Sequence, residues 1–180
     1  MQSWQERTSM LLGQEALSRL EHSSVAVVGT GGVGAAAAEM LVRAGVGRIV
    51  IVDSDTFSLS NINRQLPALH STVGRPKTEV LAERLADINP TLEIEKIDSF
   101  LTQENIPSLL GGAGRVDFLV DAIDRLSPKI ALIQYCMAAG IPMVSSMGSG
   151  AKMDATKVRI ADISKPRMCP LAHMLRKRLH

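Results

Sequence analysis

The sequence predicts an α/β protein with a doubly wound, mostly parallel sheet and helices on both faces, and three observations predict it. Short apolar runs alternate with helical patterns along the chain. One run, residues 25–28, ends in Gly29-Thr30-Gly31-Gly32-Val33-Gly34 and gives way at once to an alanine-rich helical stretch, a strand–turn–helix order suited to binding phosphate. Carboxylates stand at the ends of other runs, Asp53 after 48–52 and Asp121 and Asp124 after 118–120. Ligands of such sheets sit beyond the carboxyl ends of the strands. Gly29 to Gly34, Asp53 and Asp124 are therefore expected to face one crevice, and the architecture is Rossmann-like.

Taken in order, residues 9–21 read as one helix with Leu17 and Leu20 on a common face. The first strand is 25–28. Gly29 permits the sharp bend after it, Gly31 lets a phosphate approach the backbone, and Gly34 lets helix and strand pack closely. The helix 32–44 turns its alanines to the sheet and stops at Gly45-Val46-Gly47. Asp53 ends the second strand about twenty residues past the glycines, where a carboxylate can accept a ribose hydroxyl. The polar stretch 54–71 contains Asn61, Asn63, Arg64 and Gln65 and has no clear period. Pro76 suits the first turn of a helix, with Lys77 beside it. Val80, Leu81, Leu85 and Ile88 give that helix its apolar face, and Asn89-Pro90 ends it.

Residues 92–97 alternate like a strand, 103–110 form a weaker helix, and 111–114 are a loop. A short buried strand, 118–120, precedes a helix with Ser127 as N-cap and Pro128 at its first position. That helix runs to Ala139 and stops at Gly140. Strands follow at 141–146 and 158–163, and 170–179 reads as a closing helix.

At 180 residues the chain is expected to be one domain, 1–180, with ordinary proportions of apolar (46%) and charged (21%) residues. No run reaches the length of a membrane span; the most apolar stretch, 35–46, is interrupted by Glu39 and Arg43. The polar N-terminus lacks the apolar centre of a signal peptide. Two cysteines, Cys136 and Cys169, make neither a disulfide framework nor a four-cysteine zinc site, and the four histidines lack ligand spacing. Cys136 reads as a core residue, and Cys169 sits before Pro170 at a helix start that lowers a thiol's pKa. A cytoplasmic protein is expected. Residues 152–180 hold eight Lys/Arg against two Asp (+6), and the rest twelve against sixteen acids (−4), a basic segment that suits a polyanionic partner. With five aromatic residues in all, nucleic-acid contacts would rest on phosphates and shape.

The glycine turn and Asp53 alone suit a dinucleotide equally well. A triphosphate carries more charge and calls for added cations. Arg64 and Lys77 lie on segments leaving the same strand end, Arg7 could join them, and Asp124 could hold magnesium, which takes one or two carboxylates plus phosphate oxygens.

Gly29 to Gly34, Asp53-Ser54-Asp55, Ser60-Asn61-Ile62-Asn63-Arg64-Gln65, Gly74-Arg75-Pro76-Lys77 and Asp121-Ala122-Ile123-Asp124 occur in this order. The combination resembles the adenylating enzymes related to ubiquitin-activating enzymes, which include the thiamine and molybdopterin adenylyltransferases. Arg7 before Leu11-Leu12-Gly13, Pro128-Lys129, Ser145 to Lys152 and Cys169-Pro170-Leu171-Ala172 most resemble the tRNA threonylcarbamoyladenosine dehydratase branch. The resemblance implies that Gly29, Gly31, Gly32 and Gly34 cradle ATP, and that Asp53, with Asp55 beside it, holds the ribose. Asn61, Arg64 and Lys77 would bind phosphates, Asp124 would organise Mg2+, and Arg7 would reach across a homodimer to the partner's ATP. It also implies a tRNA substrate and leaves open a sulfur-transfer partner. Two rivals stay open: activation of a sulfur-carrier protein's C-terminus, and a non-catalytic nucleotide-binding module. Family members of this kind continue well beyond the position matching His180, so a C-terminal part of the family domain is expected to be missing from this sequence.

Overall fold

In the computed structural model, residues 4–112, 114, 116–166 and 168–179 are described. Five strands form one parallel sheet: β1 (Ser24–Val28), β2 (Arg48–Asp53), β3 (Glu93–Asp98), β4 (Phe118–Asp121) and β5 (Met143–Ser145), in the order β3-β2-β1-β4-β5. Every pairing among them is parallel, as a chain of strand–helix–strand crossovers requires.

Alternate residues of each strand face opposite sides, and both sides are dry. Val25, Val27, Ile49 and Ile51 pack beneath Ala35, Ala38 and Val42 of α3 (Gly32–Ala44) and Leu81 and Leu85 of α4 (Lys77–Ile88). Ala26, Val28, Val50, Val52 and Leu119 face Ile106 and Leu110 of α5 (Ile106–Gly112) and Leu132 and Cys136 of α6 (Leu126–Ala139). Full burial of each such aliphatic side chain is worth roughly 1.5–3 kcal/mol. The register brings Val52, Val28, Asp121 and Ser145 into one row across the carboxyl edge.

Several expected elements shift. The helix at 9–21 is two, α1 (Glu6–Leu12) and α2 (Gln14–Glu21), divided at Gly13, whose φ of +80° and ψ of 163° leave the helical region. Ser127 is not the N-cap of α6. Arg125 holds that position in extended conformation, and Pro128 occupies the third helical place, where an N–H would lack an intrahelical partner anyway. The expected loop at 111–114 begins late, since Gly111 and Gly112 belong to α5. β5, expected over 141–146, is three residues long; it starts only at Met143 because Pro142 cannot donate to the ladder. The strand expected at 158–163 does not form: Val158 and Ile160 are 81% and 96% exposed, and no described strand lies beyond β5 to receive them. The closing helix α7 (Pro170–Leu179) packs against α6.

Among the described residues, no helix is long and apolar enough to cross a membrane. The irregular stretch after β2 acquires its own small core, Phe57 under Ala68 and Val80. That core fixes the path of the segment carrying Arg64.

Candidate active site

A crevice of about 390 Å³ opens above the carboxyl edge of the sheet, lined by residues from the ends of all five strands. Its floor is the turn after β1. Gly29 has φ +87°, and a side chain there would come within 2.9 Å of the Ala122 carbonyl. Thr30, fully buried, donates both its N–H and its hydroxyl to Asp53 Oδ2, at 2.7 and 3.0 Å. The other carboxylate oxygen of Asp53 accepts the Asp55 N–H at 2.9 Å. Asp53 thus ties the end of β2 to the glycine turn.

Gly31 is the N-cap of α3 and offers no side-chain cap, so the first N–H groups of that helix are left for another acceptor. A side chain at Gly32 would meet the Arg64 carbonyl at 2.9 Å. Gly29, Gly31 and Gly32 line the crevice. Gly34 does not: it is buried, and a side chain there would lie 1.7 Å from the Gly29 carbonyl. Its place is the packing of helix against turn.

Two cations flank the turn. Lys77 opens α4, nearly buried, with Nζ 2.9 Å from Asp55 Oδ2; the Asp55 side chain is 56% exposed. Arg64 lies on the wall, exposed, its Nη1 donating to the Ser60 carbonyl at 2.7 Å and to Asn63 Oδ1 at 3.0 Å. Asn61 does not line the crevice. Its carboxamide accepts the Ser58 N–H at 3.0 Å and closes the turn that carries Arg64. Asp124 also lines the crevice, exposed, and no hydrogen bond or ion pair to another described residue ties up its carboxylate. Among the described residues no group of three or more His, Cys, Asp or Glu could hold a metal ion. A cation here would have Asp124 and phosphate oxygens as ligands, the mixed set that Mg2+ favours. Arg7 lies on α1, exposed and away from the crevice of its own chain.

Two features escape the sequence reading. Asp121 and Lys129 form an ion pair at 2.8 Å with both side chains wholly buried. Lys129 Nζ also donates to the Ile123 carbonyl, Ser145 Oγ donates to Asp121 Oδ2, and the Ile123 N–H donates to Asp121 Oδ1. This cluster clamps the loop that presents Asp124. The second is Gln65, 7% exposed on the crevice wall, with no hydrogen-bond partner for its Oε1 among the described residues. Its place directly after Arg64 was visible, but its burial was not.

The cysteines differ. Cys136 is fully buried, and burial, then the nearby Asp121 charge, push its thiol up to about 11. Burial also pushes Cys169 up, but the backbone at Ala172 and Gly148, the Lys152 ammonium and the Leu171 backbone outweigh it, leaving that thiol below its ordinary value.

A glycine turn leading into an uncapped helix, with two cations and a free carboxylate around it, defines a Rossmann-like nucleotide-binding protein equipped for a polyphosphate. The profile of the ThiF family matches residues 5–174, and the chain belongs to that family. It is 44% identical over 173 residues to the tRNA threonylcarbamoyladenosine dehydratase of Bacillus subtilis (strain 168), covering 96% of this chain and 67% of that one. It is 40% identical over 180 residues to the protein of the same name from Escherichia coli (strain K12), covering 98% and 66%. The crystal structure of the E. coli tRNA N6-threonylcarbamoyladenosine dehydratase TcdA in complex with ATP superposes with a TM-score of 0.94 at 40% identity, covering 99% of this chain and 74% of that one. The chain thus spans about two thirds of the length of these curated relatives.

Proposed function

We propose that this chain carries out ATP-dependent adenylation of the threonyl carboxylate of threonylcarbamoyladenosine in tRNA, closing it to the cyclic form. What supports the reading most is the convergence of Gly31, Arg64, Lys77 and Asp124 on one crevice, together with the ATP-bound relative of the same fold.

In this reading the triphosphate lies along the N-terminus of α3, and the ribose meets the carboxylate of Asp53. A carboxylate offers about four acceptor sites, and Thr30 and Asp55 take three of them. Lys77 exchanges Asp55 for phosphate oxygens, and Arg64 turns from the Ser60 carbonyl to do the same. Both neutralise charge that grows on the departing pyrophosphate. Asp124, whose carboxylate has no partner among the described residues, would hold Mg2+, which would supply Lewis-acid withdrawal of charge from the phosphates.

The threonyl carboxylate attacks the α-phosphorus and pyrophosphate leaves. The carbamoyl group of the same substrate then attacks the acyl carbon, the bond to AMP breaks, and a five-membered ring closes with net loss of water. Because both reacting groups sit on one molecule, proximity supplies the acceleration and no protein nucleophile is required. Arg7 would serve a neighbouring copy in a homodimer. Support comes from the exposed apolar face of α1, where Met10 and Leu11 are 68% and 82% exposed. The compartment would be the cytoplasm.

The test is incubation of the protein with ATP, Mg2+ and tRNA bearing threonylcarbamoyladenosine, followed by nucleoside mass spectrometry. Loss of 18 mass units (one water) from that nucleoside is expected. An unchanged nucleoside, with pyrophosphate released from ATP only when a protein ending in Gly-Gly is supplied, would replace this substrate by a sulfur carrier.

A further inference from the structure

The stretch of the crevice beyond Asp124 has no part in the roles above. The loop after β5 supplies Ser146, Met147, Gly148 and Ser149 to its wall, and Leu171 enters from the first turn of α7. Loop and helix start hold each other in place. The Ser146 N–H donates to the Asp121 carbonyl at 2.8 Å, and Cys169 Sγ donates to the Gly148 carbonyl at 3.8 Å. A side chain at Gly148 would sit 3.7 Å from Leu171 Cβ, so the two segments lie in contact. None of the five lining residues is charged. Met147 and Leu171, both half-buried, give the wall an apolar surface, and the two serines add hydroxyls.

Stereochemistry decides what meets this wall. Gly31, Arg64 and Lys77 gather the departing pyrophosphate near the ends of β1 and β2. In the order β3-β2-β1-β4-β5, the end of β5 is the far edge from β2. In transfer at phosphorus the attacking and leaving oxygens lie roughly in line. The carboxylate oxygen that bonds to the α-phosphorus therefore arrives opposite the bond that breaks to release pyrophosphate. With the nucleoside anchored on Asp53 at the end of β2, the β5 end is the approach left open, and the acyl group behind the carboxylate trails along it.

We propose that the loop after β5 and Leu171 form the acyl subsite, with Met147 and Leu171 seating the threonyl side chain and so selecting the acyl group that is adenylated. The proposal rests on the adenylation reading above and adds to it the residues that choose the substrate. An uncharged, partly apolar wall fits a small branched side chain and gives nothing to an acyl group that lacks one. In a pocket of this kind one methylene is worth roughly ten- to two-hundredfold in specificity.

Pyrophosphate exchange with two tRNAs tests it, one bearing threonylcarbamoyladenosine and one bearing glycylcarbamoyladenosine, in which a hydrogen replaces the threonyl side chain. Calorimetric titration with ATP is run beside it on each variant of the full chain. The unaltered protein is expected to favour the threonyl substrate about tenfold or more in kcat/KM (roughly the value of one methylene). Met147→Ala and Leu171→Ala are each expected to cut that preference to within about threefold while ATP affinity stays within twofold. Leu171→Met, which keeps the apolar bulk, is expected to retain it. Equal use of the two tRNAs by the unaltered protein, a preference that survives both alanine variants, or a loss of ATP affinity as large as the loss of preference would overturn the subsite. ATP binding by the unaltered protein without exchange on either tRNA would instead overturn the adenylation reading.

Discussion

Two Pro-Lys pairs open helices in this chain, Pro76-Lys77 before and into α4 and Pro128-Lys129 in the first turn of α6, and they have opposite fates. Lys77 pairs with Asp55 across an interface whose acid is 56% exposed, and both residues line the crevice. Lys129 pairs with Asp121 where neither side chain touches solvent. An ion pair with one wet partner can open and exchange that partner for a ligand. A wholly buried pair cannot, because separating its members leaves an uncompensated charge in the interior. One lysine is therefore available for phosphate, and the other holds the loop that carries Asp124.

The strongest way to break this contrast is Lys129→Met. It leaves Asp121 buried with only Ser145 and the Ile123 N–H as partners, and an unfolding free energy lower by about 3–5 kcal/mol is expected in urea denaturation. A loss under 1 kcal/mol would mean that the pair is not buried as described. Lys77→Met acts on the reaction instead. Adenylation should slow by about 10²–10³-fold, the usual cost of removing one preorganised donor, in a protein that folds normally. Rates within threefold of the original would remove Lys77 from the site.

Combining Asp121→Asn with Lys129→Met replaces the buried charges by neutral groups and should recover most of the lost stability, to within about 1–2 kcal/mol of the original. Failure to recover would show that the lysine's bond to the Ile123 carbonyl matters more than its charge. Smallest is the effect of Lys77→Met on stability, expected below about 1 kcal/mol because its partner stays solvated. The two thiols offer a chemical check. At pH 8, iodoacetamide should modify Cys169 before Cys136, whose pKa of about 11 keeps it protonated. Peptide mapping reads the order, and reaction at Cys136 first would contradict its burial.

The contrast also measures what the residues reveal before folding. The strand–turn–helix at 25–44 was legible because glycine spacing, an apolar run and an alanine face all point to one local structure. So was the clustering of Asp53, Lys77 and Asp124, since parallel topology sends every strand end to one edge. Lys129 was not legible as a buried clamp. Its partner lies eight residues back on a strand, and burial at that depth depends on packing that no local pattern encodes. The approach of Leu171 to the loop after β5 joins segments distant in the chain, again a product of tertiary structure. The apolar spacing across 9–21 points to one helix, and the positive φ of Gly13 that divides it has no signature in that spacing. At 158–163 the alternation of Val158 and Ile160 imitates a strand, yet a strand needs a neighbour, and β5 is the last one described.

Exchange of labelled pyrophosphate into ATP tests the central claim most directly, since it requires reversible transfer of AMP from ATP to an acceptor, and its dependence on the modified tRNA identifies that acceptor. With Mg2+ and tRNA bearing threonylcarbamoyladenosine, label should enter ATP, and the signal should fall at least a hundredfold in Lys77→Met or when unmodified tRNA is supplied. Exchange that proceeds equally with unmodified tRNA, or that survives the loss of Lys77 undiminished, would contradict the account.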